Sequence, residues 1–442
     1  MTAREAALKA LEAFRRKRAW PDLALGGLTG KHDMQKREAA LAARILNGVL
    51  QNMALCDHYI SSFSSVDLKK IEPRILDILR LSVYQLVFMD RITPSAAVNE
   101  GVMLAKKKSN PRAVGFVNAV LRKAAQTVKN GALPEVAGDT IRRLSVGYSH
   151  PEWLVGELCG NYGADFVRAL LKANNDTDLP VTAQVNTLLT DTEGAISALA
   201  ADGVEAVRHA WLDDCIELPD AQGIAQLGAF TNGHIWIQDA AARLAVLAAG
   251  PAPGDLVIDG CAAPGGKSFA AAVAMGNRGK VYAFDINEAK LRRVAEGADR
   301  LGFTIIDAIK RDALAPATEL TGKADVVLAD VPCSGFGVIR KKPEIRYKSR
   351  EDIAGLPDIQ ERILSSLAAY VKQGGVLLYS TCTVLKSENE NVIKRFLDRD
   401  KRFEAENFSL PGAGNAQDGA ITLWPHIHGA DGFFICKLRR RN

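Results

Sequence analysis

Apolar residues recur at helical spacing through the first third of the chain and gather into short, nearly unbroken runs through its last half. In "REAALAARILNGVLQN" (37–52), "RILDILRLSVYQLVFM" (74–89) and "AAVNEGVMLAKKKS" (96–109) they fall three and four residues apart, the pattern of helices with one buried face. Pro94 and Pro111 stand just before or between such runs, where proline opens a helix without breaking it. Residues 1–135 are therefore predicted to be an all-α bundle, and "NGALPEVAGD" (130–139), with its Gly and Pro, marks the boundary.

Residues 140–225 mix the two periods. "SHPEWLVGELCGNYGADFVRALLKANN" predicts two short helices, "LPVTAQVNTL" a strand, "DTEGAISALAADG" a helix and "VEAVRHAWLDDCIEL" further strand, together a small α+β domain. From 226 to 442 the pattern changes again. "GDLVIDG" (254–260), "GKVYAFDI" (279–286), "FTIIDAI" (303–309), "ADVVLADV" (324–331) and "GGVLLYS" (374–380) read as buried strands, most of them separated by helical runs. That alternation predicts a Rossmann-like α/β domain with a mostly parallel sheet covered on both faces.

Length agrees with several domains, since 442 residues exceed one ordinary core. Apolar content of 48% and charged content of 24% are those of a globular protein in water. No run approaches the roughly 20 apolar residues of a membrane-spanning helix. The opening "MTAREAALKALEAFRRKRAW" reads as a basic amphipathic helix rather than a secretory signal, so a cytoplasmic monomer is expected. The seven cysteines are scattered with no CxxC pair, and neither a disulfide framework nor a metal site is expected. Charge is uneven. Residues 1–130 hold 22 Lys and Arg against 11 Asp and Glu, a net of +11; with +5 for the whole chain, the remainder carries −6. A basic module beside a mildly acidic one suits a polyanionic partner.

In parallel sheets, ligands bind beyond the carboxyl ends of the strands. Here the first strand runs into "DGCAAPGGK" (259–267), the second ends in Asp285, and Asp312 follows the third. The fourth runs into "DVPCSG" (330–335) and the fifth into "STCT" (380–383), just ahead of a helix predicted over 391–397. Gly265 and Gly266 let the backbone approach a ligand, and an acid ending the second strand suits ribose hydroxyls. A nucleoside-containing cofactor such as S-adenosyl-L-methionine fits these features. A nicotinamide dehydrogenase does not, because the G-x-G-x-x-G fingerprint is absent.

"DGCAAPGGK", "DVPCSG" and "STCT" with the following "ENE" (388–390) resemble the signature motifs of RNA cytosine-5 methyltransferases of the Sun/Fmu and nucleolar-protein class. The stretch 79–123 resembles the NusB-like domain fused to one branch of that class, and "SHPEWLV", "VNTL" and "GADGFFICKL" extend the resemblance along nearly the whole chain. It implies methyl transfer from S-adenosyl-L-methionine to carbon 5 of a cytosine in small-subunit (16S) ribosomal RNA. It also implies cofactor contacts from Cys261, Ala262, Ala263, Pro264, Gly265, Gly266, Lys267, Asp285, Asp312 and Asp330.

The chemistry needs a sulfur nucleophile. Carbon 5 of cytosine becomes reactive once a thiolate adds at carbon 6, and cysteine is both a strong nucleophile and a tolerable leaving group. It must be partly ionised, by a helix N-terminus or a nearby cation. Spacing alone does not choose between Cys333 and Cys382. In the class resembled, the "TC" cysteine attacks and the "PC" cysteine assists product release, which implies those roles for Cys382 and Cys333, with Ser380, Thr381 and Thr383 orienting the site. Asp330 is expected to activate the base by hydrogen bonding its ring nitrogen and amine. "RKKPEIRYKSR" (340–350), a flexible basic loop by its composition, assigns Arg340, Lys341, Lys342, Arg346 and Lys348 to RNA phosphates. The competing reading is a non-catalytic NusB-like RNA-binding or antitermination factor. The retention of Asp259, Asp285, Asp312, Asp330, Cys333 and Cys382 argues against it.

Overall fold

The helical period of the first third becomes α1 (Ala3–Lys17), α2 (Pro21–Lys31), α3 (Lys36–Phe63), α4 (Pro73–Phe88), α5 (Pro94–Lys108) and α6 (Pro111–Lys129), followed by α7 (Thr140–Gly147), α8 (Glu152–Tyr162) and α9 (Ala164–Asn174). This is a computed structural model that describes residues 1–17, 19–176, 179–220 and 223–442. Thr93 and Asn110 accept hydrogen bonds from the N–H groups of Ala96 and Ala113, capping α5 and α6 just ahead of Pro94 and Pro111. One compact unit comprises Met1–Asn175 together with Lys341–Tyr347.

The expectation that no stretch is long and apolar enough to cross a bilayer is corrected at α3, which is 28 residues and meets that test by length and composition. Its apolar residues lie on one face, and Ile45, Leu46, Val49, Leu50 and Ile60 are buried in the bundle core. The helix bends at Asn52, whose amide donates to the Gly48 carbonyl at 2.9 Å. A Cβ at Gly48 would lie 1.9 Å from the Tyr84 ring, so α3 approaches α4 this closely only with glycine there.

The second unit is Asp176–Arg340 with Lys348–Asn442. A small antiparallel sheet holds β1 (Val181–Val185), β2 (Val207–Arg208), β3 (Cys215–Leu218) and β4 (Ile235–Ile237) in the order β2-β3-β1-β4, backed by α10 (Thr192–Ala201) and α11 (Gly228–Thr231). The α+β region expected at 140–225 supplies most of this sheet, with two differences at its edges. Its first helices, α7 to α9, fall in the helical unit, and β4 joins from beyond 225 by pairing Ile237 with Ala183.

The large sheet contains β5 (Leu256–Asp259), β6 (Lys280–Asp285), β7 (Ile306–Lys310), β8 (Ala324–Asp330) and β9 (Val371–Thr381), all parallel. Antiparallel β10 (Phe403–Ala405), β13 (Ala420–Leu423) and β14 (Phe433–Arg440) complete it, while β11 (Ser409–Leu410) and β12 (Gly414–Asn415) form a separate ribbon. The order is β10-β14-β9-β8-β5-β6-β7, with β13 beside β14. Successive residues serve opposite layers, as a pleated strand requires. Val257 and Leu328 join the core with α12 (Ala240–Ala249), α13 (Gly266–Ala274) and α14 (Glu288–Leu301). Ile258 and Val327 join the other core with α16 (Leu356–Ala368) and α17 (Glu390–Arg399); a short α15 (Arg350–Ile353) precedes them. The chain runs outward through β5, β6 and β7, then returns to β8 on the far side of β5. That reversal opens a crevice at the strand ends between β5 and β8.

Candidate active site

Parallel pairing of β8 with β9 sets Asp330 opposite Ser380. The Ser380 hydroxyl donates to Asp330 Oδ1 at 2.8 Å, so one of the three hydroxyls expected to orient the site touches the acid expected to activate the base. Across the switch point, Lys267 Nζ at the start of α13 donates to Asp330 Oδ2 at 2.7 Å and lies 5.2 Å from the centre of the Phe433 ring. Burial works against the charge of Lys267, but Asp330 outweighs it and holds the ammonium above its ordinary pKa.

Past Asp330 and Ser380 both strands continue into loops, and each loop carries its cysteine close behind. The Cys333 and Cys382 sulfurs lie 3.1 Å apart, both partly exposed. The hydrogen bond from Cys333, helped by Lys267 and opposed by burial, holds the Cys382 thiol below its usual pKa. The same bond, with burial, pushes Cys333 up. Both shifts favour a developing thiolate at Cys382 over Cys333. Of the two expected sources of ionisation, a helix N-terminus or a nearby cation, the cation is Lys267; α17 begins at Glu390, within one residue of its predicted start.

A cavity of about 580 Å³ opens beside Asp330. Its wall includes Asp259, Cys261, Ala262, Ala263, Pro264, Gly266 and Lys267, and continues over Trp236, Ile237 and Gln238 beside β4 to Arg293 and Arg300 of α14. The β4 and α14 walls were not predicted, because nothing in their local pattern marks them. Gly265, with φ of +111°, turns the chain into α13, and a Cβ there would meet the Phe269 ring at 2.5 Å. Asp285 stands at the end of β6, accepting from Ala263 N at 3.3 Å and Asn287 N at 2.8 Å. Asp312 is exposed and accepts from Leu314 N at 2.9 Å; neither acid lines the cavity. Burial and the surrounding Asp259, Asp330, Asp285 and Asp312 push the Cys261 thiol up, which keeps it neutral. Asp259 is buried, accepts from Ser268 Oγ at 2.8 Å and has a second oxygen, Oδ1, with no partner. Among the described residues no group of His, Cys, Asp or Glu is arranged to hold a metal ion.

The basic segment departs from its expectation of a flexible, exposed loop. Arg340 is buried in an ion pair with Asp431 at 3.0 Å and donates to the Gly429 carbonyl at 2.7 Å. Lys348 Nζ donates to the Ser334 carbonyl at 2.6 Å. Arg346 is fully buried in the helical unit, donating to the carbonyls of Gln51, Tyr148 and Ser149. Of the five residues assigned to RNA, Lys341 and Lys342 stand exposed. The apolar Ile345 and Tyr347 flanking Arg346 supply the physical reason: burying them carries the guanidinium inward, and composition alone does not reveal that.

Residues 246–439 match the family of 16S rRNA methyltransferase RsmB/F, residues 1–126 the NusB family, and residues 150–225 the Methyltr_RsmF/B-like, ferredoxin-like domain. A Bacillus subtilis protein described as "Probable ribosomal RNA small subunit methyltransferase B" is 35% identical over 99% of this chain and 98% of its own length. The chain belongs to the RsmB/F methyltransferase family. Ribosomal RNA small subunit methyltransferase B of Vibrio cholerae is 32% identical over 93% of this chain and 92% of its own. The crystal structure of PH0851 aligns with a TM-score of 0.82 at 28% identity, covering 99% of this chain and 98% of that one. The RsmB/F architecture of helical NusB region, small middle sheet and mixed-sheet methyltransferase domain is the one the sequence implied. Family membership makes the chain a small-subunit ribosomal RNA methyltransferase.

Proposed function

We propose that the chain transfers a methyl group from S-adenosyl-L-methionine to carbon 5 of a cytosine in 16S ribosomal RNA, through a covalent bond between Cys382 and carbon 6. The observation that carries the reading is the sulfur pair, 3.1 Å apart with the Cys382 thiol lowered, beside the Lys267–Asp330 ion pair. The residues fit such a cofactor: Asp259 Oδ1 is a buried acceptor without a donor, and Gly266 together with Cys261, Ala262, Ala263 and Pro264 lines a cavity of suitable size. The cofactor would supply an electrophilic methyl group.

This chain's own residues do the rest. Cys382 adds as thiolate to carbon 6, which makes carbon 5 electron-rich. Asp330, held by Ser380 and Lys267, passes to ring nitrogen N3 a proton relayed from the Lys267 ammonium hydrogen-bonded to it, which draws charge away from carbon 6. After methylation the carbon 5 proton passes to water, its bonding electrons restore the ring double bond, and Cys382 leaves carbon 6 as a thiolate held by the hydrogen bond of the neighbouring Cys333 thiol, the group assigned to that release. The reacting base must leave its stack, so the target lies in a loop or an opened strand.

Methyl transfer to 16S ribosomal RNA by the full-length chain tests this. Cys382→Ala abolishes transfer, and undiminished transfer would remove Cys382 from the mechanism. Cys333→Ala accumulates a denaturation-resistant protein–RNA adduct, and gels free of such a band would count against its release role. Bisulfite sequencing of the product identifies the cytosine.

A further inference from the structure

Glu388 is a fully buried carboxylate that no step above uses. A buried carboxylate is costly unless its oxygens are satisfied, and those of Glu388 are satisfied by both cysteine loops. Oε2 accepts from the N–H of Ser334, directly after Cys333, at 2.8 Å. Oε1 faces the hydroxyl of Thr383, directly after Cys382, at 3.4 Å. Gln360 Nε2 donates to Oε2 at 2.8 Å and to the carbonyl of Pro332, directly before Cys333, at 3.0 Å. Ser334 and Thr383 share a hydroxyl bond of 2.8 Å. The Tyr379 hydroxyl donates to the Glu388 carbonyl at 2.6 Å, tying the clamp to β9.

We propose that Glu388 is the positioning residue that keeps Cys333 and Cys382 at hydrogen-bonding distance, acting through Ser334 and Thr383 without touching substrate. A thiol donates usefully only over a few tenths of an ångström, and the two cysteines arrive on separate strands. Without the shared carboxylate, each loop keeps its own strand but loses its register against the other. The negative charge of Glu388 also favours the proton staying on Cys333. The inference rests on the sulfur pair acting as proposed above.

The rate of Cys382 carboxamidomethylation by iodoacetamide, followed by mass spectrometry from pH 6 to 9 on the full chain, reads this register without RNA. Glu388→Leu, folded by its melting curve, is expected to be labelled about tenfold more slowly near pH 7, its midpoint moving up by roughly one unit toward an ordinary thiol. Glu388→Gln keeps an acceptor oxygen for Ser334 and Gln360 and recovers most of the rate. Gln360→Met, which loses the bonds to the Glu388 carboxylate and the Pro332 carbonyl, shifts the profile the same way by about threefold or more. It decides the matter if Glu388→Leu does not fold. Wild-type labelling in folded Glu388→Leu, or in Gln360→Met when the former is unfolded, overturns the proposal. Cys333→Ala separates the two ideas. An unchanged Cys382 profile there removes the sulfur-pair reading itself, whereas a shifted profile beside wild-type Glu388→Leu removes only Glu388.

Discussion

At Asp259, burial raises the carboxyl to about pH 6 despite the hydrogen bond from Ser268. An unfolded aspartate titrates near 3.9. Between those values the folded chain holds a proton the unfolded chain has released, so stability falls as pH rises from about 4 to 6 and is level above. The gap of roughly two units corresponds to about 3 kcal/mol. Asp259→Asn removes this slope while keeping an acceptor for Ser268. Urea unfolding at pH 4, 5, 6 and 7 should show a variant more stable than wild type by on the order of 2–3 kcal/mol at pH 7 and little different at pH 4. Parallel curves would show that Asp259 ionises freely in the fold. The position of Asp259 was legible, because parallel strand ends collect ligand-binding groups. Ser380 was expected to orient the site but not to bond Asp330, and the clamp role of Glu388 was not read at all, since each depends on a pairing between strands far apart in sequence. Arg340 and Arg346 were misread for a related reason: charge can be counted along a chain, but a buried partner cannot.

The loops that carry the cysteines are held by elements approaching more closely than side chains allow. Gly337 donates its N–H to the Cys382 carbonyl at 2.9 Å and accepts from Gly432 N at 2.9 Å. A Cβ at Gly337 would lie 1.8 Å from the Gly432 carbonyl oxygen, a backbone atom that cannot swing aside. Gly337→Ala is therefore expected to cost about 1–3 kcal/mol and to reduce methyl transfer severely, as overpacking against backbone does. Gly115 makes the opposite case. It lies exposed within α6 with nothing within 4 Å of its added Cβ, so Gly115→Ala should stabilise by about 0.5–1 kcal/mol through helix propensity. Melting temperatures moving in opposite directions would bear out both, and equal shifts would refute the close-approach argument. Elements were legible where the pattern was long. The strand predicted at 374–380 begins at Val371, the helix at 37–52 lies inside α3, and that at 74–89 matches α4 to within one residue. β4, with three residues, is too short to show a period of two, and only its pairing with β1 places it in the small sheet.

For the whole chain, sequence order misplaces one segment. Lys341–Tyr347 follows the Cys333 loop and was counted with the last domain, yet it belongs to the helical unit. There Arg346 lies buried with its Nε and Nη2 atoms unpartnered, and the Tyr347 hydroxyl donates to the Leu50 carbonyl. A buried guanidinium so incompletely satisfied contributes little net stability, because its desolvation offsets the bonds from Nη1. What it fixes is the place where the segment lodges. Arg346→Met keeps the apolar stem and removes the charge. It should change the free energy of unfolding by no more than about 1 kcal/mol, while amide hydrogens over 341–347 exchange on the order of tenfold faster as that local structure opens. Hydrogen exchange with mass spectrometry, alongside urea unfolding, distinguishes the outcomes. Protection over 341–347 equal to wild type would mean that Ile345 and Tyr347 alone hold the segment. A loss of several kcal/mol with unchanged local exchange would mean that Arg346 is a stabilising core group rather than a locating one.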